Sequence, residues 1–177
     1  MLKPVAFDRR PSTTLSDVTT RYAELADVDE VQAMHDRCSE SSLYRRFHAP
    51  LPRVSTRLVR QLVAPGGGWS VVAETGGRVV ALACVAPVSP SEVEVGLLVE
   101  DQHQHRGIGS RMLHEIAVDA ASRGFRAIEL HAQPENDRVL ATVQKAGLIG
   151  RVSWDDSLLR ISMSLHRVAS TRVPQPA

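Results

Sequence analysis

Apolar residues in this chain follow two periods, and the switches between them mark its elements. Alternating or continuous apolar stretches, the pattern of half-buried and buried strands, run over residues 18–25, 69–74, 78–85, 93–99, 125–132, 149–154 and 158–165. Three- and four-residue spacing predicts helices over 28–38, with Val28, Val31 and Met34 or His35 inward, and over 54–64, 108–123 and 136–146. A short helical segment closed by Pro50 and Pro52 fills 39–50. Punctuation supports this division: Asp27 as a helix N-cap, Gly124 and Gly147 as helix stops, and Thr75-Gly76-Gly77 as a hairpin turn. The predicted order is βααβββαβαββ, with the short segment between the first two helices. A helix joins the fourth and fifth strands, which makes them parallel neighbours with a right-handed crossover.

The fold class that follows is α/β (α+β), a single domain over 18–166. Residues 1–17, rich in Pro, Ser, Thr and charge, are expected to form a disordered leader, and 167–177 a flexible tail. With 43% hydrophobic and 23% charged residues, the composition is that of an ordinary globular protein. A formal net charge of +1 gives no electrostatic case for nucleic acid or an anionic membrane. No apolar run approaches the roughly 18 residues of a membrane span, and no secretory h-region is visible. The expected location is cytoplasmic, with Cys38 and Cys84 reduced.

The chemistry gathers at residues 93–123, where a buried strand, a polar loop, Gly107-Ile108-Gly109 and a helix follow one another. A helix start offers unpaired N–H groups and the positive end of a dipole, and glycine lets a phosphate approach. A P-loop is excluded, because no Lys-Ser or Lys-Thr follows the glycines. A Rossmann dinucleotide site has an acid in reach at Glu129, twenty residues after Gly109, but Met112 stands at the third glycine position. The third candidate is Gln104-x-x-Gly107-x-Gly109. It resembles the pyrophosphate motif Gln/Arg-x-x-Gly-x-Gly/Ala of the GNAT N-acetyltransferase superfamily. Asn136, with Ala146-Gly147-Leu148 following, is similar to that family's Asn-x(10)-Gly-Phe, with Leu148 in place of Phe. Ser39-x-x-Ser42-x-x-x-Arg46-Phe47 is similar to a segment of bacterial Pat-type protein-lysine acetyltransferases, here in stand-alone form. On the residues alone, this last segment reads equally as an amphipathic helix with Leu43 and Phe47 packed and Tyr44, Arg45 and Arg46 solvated.

The resemblance implies a mixed, mostly antiparallel seven-stranded sheet flanked by helices, with strands four and five parallel and splayed. It implies acetyl-CoA as co-substrate. The pyrophosphate would lie on the amides of Gln104, His105, Arg106, Gly107, Ile108, Gly109 and Ser110, with the Arg106 side chain facing phosphate. Pantetheine would pair with the backbone of Leu97, Leu98 and Val99, and Asn136 would reach the same arm, although as a residue it also reads as a helix cap. A dimer through strand edges is compatible with the resemblance. Metal is not expected, since His103, His105 and His114 have no convergent carboxylate or cysteine.

Amide formation needs a neutral amine, and a lysine amine has a reference pKa of about 10.4, so a proton acceptor must stand near the thioester. Glu94, ten residues before Gln104 where Pat-type enzymes carry a glutamate base, is the candidate, with Glu92 its rival on the same face. His131 is the alternative proton carrier. Val143 stands where many small-molecule members carry a tyrosine acid. The resemblance thus implies acetyl transfer to a primary amine, a protein lysine first. A small-molecule amine or antibiotic N-acetyltransferase, or a non-catalytic acyl-CoA sensor, are the alternatives.

Overall fold

A computed structural model describes residues 17–166. The expected leader and tail therefore lie almost wholly outside the described residues. The strands are β1 (Thr19–Tyr22), β2 (Trp69–Thr75), β3 (Arg78–Ser89), β4 (Glu92–Val99), β5 (Ala127–Ala132), β6 (Gly150–Asp155) and β7 (Leu158–Ser164). The helices are α1 (Val28–Asp36), α2 (Glu40–Phe47), α3 (Thr56–Val63), α4 (Ile108–Ser122) and α5 (Asp137–Lys145). One seven-stranded sheet runs β1-β2-β3-β4-β5-β7-β6, antiparallel except between β4 and β5.

Period-2 patterning sends the two sides of the central strands into two cores. On one face Ile108, Met112, Leu113, Ile116 and Ala120 of α4 cover Val71, Ala83, Val85, Val93 and Ile128. On the other, Val31 and Met34 of α1, Leu43 of α2 and Val59 and Val63 of α3 cover Val72, Leu82 and Leu98. Among the described residues no helix is long and apolar enough to cross a membrane. Both cysteines are free; burial, with Asp101 and Glu100 nearby, pushes the Cys38 thiol up to about 12.

The first strand is shorter than the pattern predicts. After Tyr22 the chain curls into a 3-10 turn at Leu25–Asp27, because the Asp27 carboxylate accepts the Glu24 N–H at 2.7 Å and grips Arg21. Asp27 is therefore spent on this turn and makes no side-chain cap to α1. Ser39 and Ser55 do cap α2 and α3, accepting from the Ser42 and Leu58 amides.

Candidate active site

The site begins where β4 and β5 stop pairing. Their register holds for Glu92↔Ala127, Val93↔Ile128 and Glu94↔Glu129, and then ends. On its other edge β4 stays paired with β3 as far as Val99↔Ala81. The Glu100 amide donates to the Val80 carbonyl at 2.9 Å, so by alternation the backbone groups of Leu98 and Gly96 also point to β3. Those of Val95, Leu97 and Val99 face the gap. Leu98 thus differs from its neighbours: it lines the cleft, but its backbone pairs with β3 and its side chain is buried against the α1–α3 layer.

Between β4 and α4 the chain makes a 3-10 turn at Asp101–His103 and then two unusual residues, His105 at φ 61° and Gly107 at φ 85°. Gly107 is the N-cap of α4, and its left-handed backbone suits glycine. Gly109 has a different reason, since a Cβ there would lie 3.2 Å from Leu97 Cδ2. The first helical bond at this end runs from the Arg111 amide to the Gly107 carbonyl, and among the described residues the amides of 105–110 meet no protein acceptor. They form a run of unpaired donors at a helix start. The Gln104 amide lies outside this run, for it is taken by the Asp101 carbonyl at 3.3 Å. The Arg106 side chain is exposed and does not line the cleft.

Gln104 instead acts through its side chain. Its Nε2 donates to the Val99 carbonyl at 2.9 Å and to Ser42 Oγ at 3.1 Å, and its Oε1 accepts from Arg138 of α5 at 2.9 Å. Asp101 completes the brace: its carboxylate accepts the Ser39 amide and the Ser39 and Ser42 hydroxyls, each at 2.8 Å. Partial burial works against the Asp101 charge, but these three donors hold its carboxyl below the usual range. The Ser39-x-x-Ser42 segment is therefore bolted to the glycine loop. Asp101 was invisible to motif reading, because its partners lie about sixty residues away.

A cleft of about 290 Å³ opens between this loop, β4, α2 and α5. Glu94 and His131 line it, whereas Glu92 does not. His131 Nδ1 lies 3.7 Å from Glu94 Oε1, and its Nε2 lies 3.2 Å from Asp155 Oδ2 on β6. His48, at the left-handed end of α2 (φ 54°), also lines the cleft and has a buried Nδ1 without a partner. Burial first, then the charges of Arg46 and His131, lower the His48 pKa, which leaves the ring neutral at pH 7. Arg46 corrects the reading of a solvated face, since its guanidinium lies against Gly96 of β4. Asn136 starts α5 with no side-chain cap bond and lines the cleft, so its side-chain amide is free for a ligand, while its backbone N–H donates to the Gln133 carbonyl at 2.9 Å. Val143 is buried in the core beside Gly150, and the cleft side of that turn carries Thr142. Glu129, the Rossmann candidate, is held by Arg160 and is no ribose site. His103 and His105 line the cleft while His114 Nδ1 meets the Ala146 carbonyl at 3.0 Å; among the described residues no group of three His, Cys, Asp or Glu converges on a metal position.

A parallel pair that parts in mid-strand, beside a helix start with free amides, is a distinctive arrangement, and residues 30–148 match the model of the acetyltransferase (GNAT) family. The chain belongs to that family. It is an acetyl-CoA-dependent N-acetyltransferase. The structure is similar to the GNAT domain of S. lividans PAT, with 27% identity, a TM-score of 0.76, and 83% of this chain and 90% of that one covered. It shares the fold of spermidine N-acetyltransferase from Vibrio cholerae, solved with CoA and spermine, at 14% identity, TM-score 0.66 and coverage of 85% and 96%. A Salmonella typhimurium structure with its cofactor acetyl-CoA matches at 20% identity, TM-score 0.63 and coverage of 84% and 92%.

Proposed function

We propose that this N-acetyltransferase acts on lysine side chains of proteins, with Glu94 as general base. The observation that carries the reading is the position of Glu94: it faces the cleft at the last β4–β5 pair, next to the strand edge where the Leu97 and Val99 amides are open. The lysine acceptor is supported by the Ser39 to Phe47 segment, which is tied to the glycine loop through Asp101, and by the likeness to the S. lividans PAT domain.

In this reading the residues fit acetyl-CoA without rearrangement of the chain's backbone bonds. The amides of His105, Arg106, Gly107, Ile108, Gly109 and Ser110 take the pyrophosphate, as free donors at a helix N-terminus suit an anion. Leu97 offers its gap-facing backbone to the pantetheine arm and Val99 its N–H alone, since the Val99 carbonyl accepts from Gln104 Nε2, and Asn136 reaches the arm from α5. Gln104 and Leu98 act one step removed, the first by holding the loop to Val99 and the second by anchoring β4. Acetyl-CoA supplies an activated carbonyl on a thiol, a far better leaving group than an amine or alkoxide. Glu94 accepts the proton of the attacking amine, and the Val99 N–H polarises the carbonyl oxygen. As the C–N bond forms the C–S bond breaks, and the coenzyme leaves as a thiolate that regains its proton from water. His131 is the second group within reach of the same proton.

The test is transfer of labelled acetyl from acetyl-CoA into a cell-extract proteome, comparing wild type with Glu94→Gln. Label on protein lysines that the variant loses is the expected result. Label that persists moves the base to His131 or water. Protein without label, from an enzyme that turns over on a small amine, overturns the lysine reading.

A further inference from the structure

Arg46 is an arginine without a carboxylate. Arg21, Arg37, Arg111, Arg123 and Arg160 each hold an acid, as a cation leaving bulk water ordinarily does. Arg46 is half-buried and lines the cleft, yet among the described residues it makes neither an ion pair nor a hydrogen bond. Glu94 turns to His131 instead. Arg46 is seated between an aromatic ring and a strand. Phe47 lies with its ring centroid 5.1 Å from Arg46 Cζ. At Gly96, the position of an added Cβ would be 2.4 Å from Cζ, 2.4 Å from Nη2 and 2.6 Å from Nη1. Near-equal distances to three guanidinium atoms mean that the group lies flat on the strand, which only glycine allows. Its N–H groups, the fork that grips a carboxylate with two parallel bonds, have no acceptor among the described residues, in a side chain that lines the cleft.

The place matters as much as the pose. Gly96 sits between Glu94, the proposed base, and Leu97, whose amide faces the gap. The cation is also felt by its neighbours: after burial, Arg46 is a cause of the lowered pKa of both His35 and His48. A group at this point that bears a carboxylate gains a planar, charge-assisted, two-bond partner, and a neutral acceptor gains only the weaker bond to an uncharged oxygen.

We propose that Arg46 anchors a carboxylate presented beside the reacting carbonyl, so that the enzyme prefers a substrate carrying one over its uncharged counterpart. The carboxylate has two sources, the far end of a dicarboxylic acyl group on CoA or the amine acceptor itself. The proposal rests on the cleft's reading as an acyl-CoA and amine site.

The experiment has two arms. In the first, succinyl-CoA and acetyl-CoA are titrated calorimetrically into wild type, Arg46→Leu and Gly96→Ala, the last retaining the charge but occupying its seat. In the second, acetyl-CoA turnover is measured on amine acceptors with a free carboxylate and on the matching carboxamides. An acyl source predicts that wild type binds succinyl-CoA about ten- to a hundredfold more tightly than acetyl-CoA, and that both variants bring the ratio towards one. An acceptor source predicts the same ratio in kcat/KM in the second arm, lost in the same variants. Wild-type ratios near one in both arms, or a preference that Arg46→Leu leaves intact, overturn the proposal. The first arm needs no acceptor, so its result is independent of protein labelling: tighter succinyl-CoA binding without lysine label sinks the lysine reading alone.

Discussion

The two walls of the cleft are made of different material. On the α4 side the working groups are backbone: the unpaired amides of 105–110 and the open edge of β4 at Leu97 and Val99. On the α2 side they are side chains: Glu94 and His131 in the sheet, with Arg46 and His48 reaching over from the end of α2. In the proposed reading the backbone wall binds what every acyl-CoA has in common and tolerates changes of side chain. A side-chain wall decides which acyl group and which amine react, and it is only as good as the packing that aims it.

Changing the walls separately should give different kinetics, and the largest effect is expected on the side-chain wall. Glu94→Gln should lower kcat by roughly 10²- to 10⁴-fold, with acetyl-CoA affinity nearly unchanged. Steady-state kinetics beside calorimetry checks this, and an equal loss in affinity would mean that the walls are not separable. Next comes the backbone wall. Gly107→Val puts a β-branched residue at φ 85°, which should cost on the order of 1–3 kcal/mol and weaken acetyl-CoA binding. His105→Gly keeps the amide and removes the strain at φ 61°, so coenzyme affinity should hold. If His105→Gly weakens binding as much as Gly107→Val, the wall is not backbone.

The brace between the walls is smaller in effect. Asp101→Asn should cost about 1–3 kcal/mol and raise KM for the acceptor, seen as faster hydrogen exchange at Ser42 and Leu43. Because hydrogen bonds lower the Asp101 pKa, its contribution is present above the usual carboxylate range and is lost as pH falls through the folded value. The mildest effect is at His35, buried in α1 with Nδ1 against the Val31 carbonyl at 2.8 Å. Burial lowers its pKa from the ordinary 6.5. The unfolded chain thus takes up a proton below about pH 6.5 before the folded one does, and stability falls with acid by at most about 1.4 kcal/mol per pH unit. Melting temperatures between about pH 7.5 and 5.5 should show this slope, and His35→Leu should flatten it.

Much of the backbone wall was legible in the sequence. Hydrophobic period located all seven strands and the helix after the glycines, and Gln104, Gly107 and Gly109 marked the loop between them. The reasons assigned to individual residues fared differently. Gly109 is small because of Leu97, Gln104 works through its amide side chain, and Leu98 spends its backbone on β3. Spacing along the chain gives a residue's place in an element, but the direction of its N–H depends on which neighbour the strand pairs with.

By itself the sequence determined the order of elements, the parallel crossover into β5 and the glycine-flanked start of α4, because these depend on local periodicity, glycine conformation and handedness. Only the tertiary structure decided that β4 and β5 part after Glu94, that Asp101 ties α2 to the glycine loop, that His131 stands between Glu94 and Asp155, and that Arg46 lies on Gly96. Each of these joins residues brought together by packing across the sheet, and no local propensity encodes such a meeting.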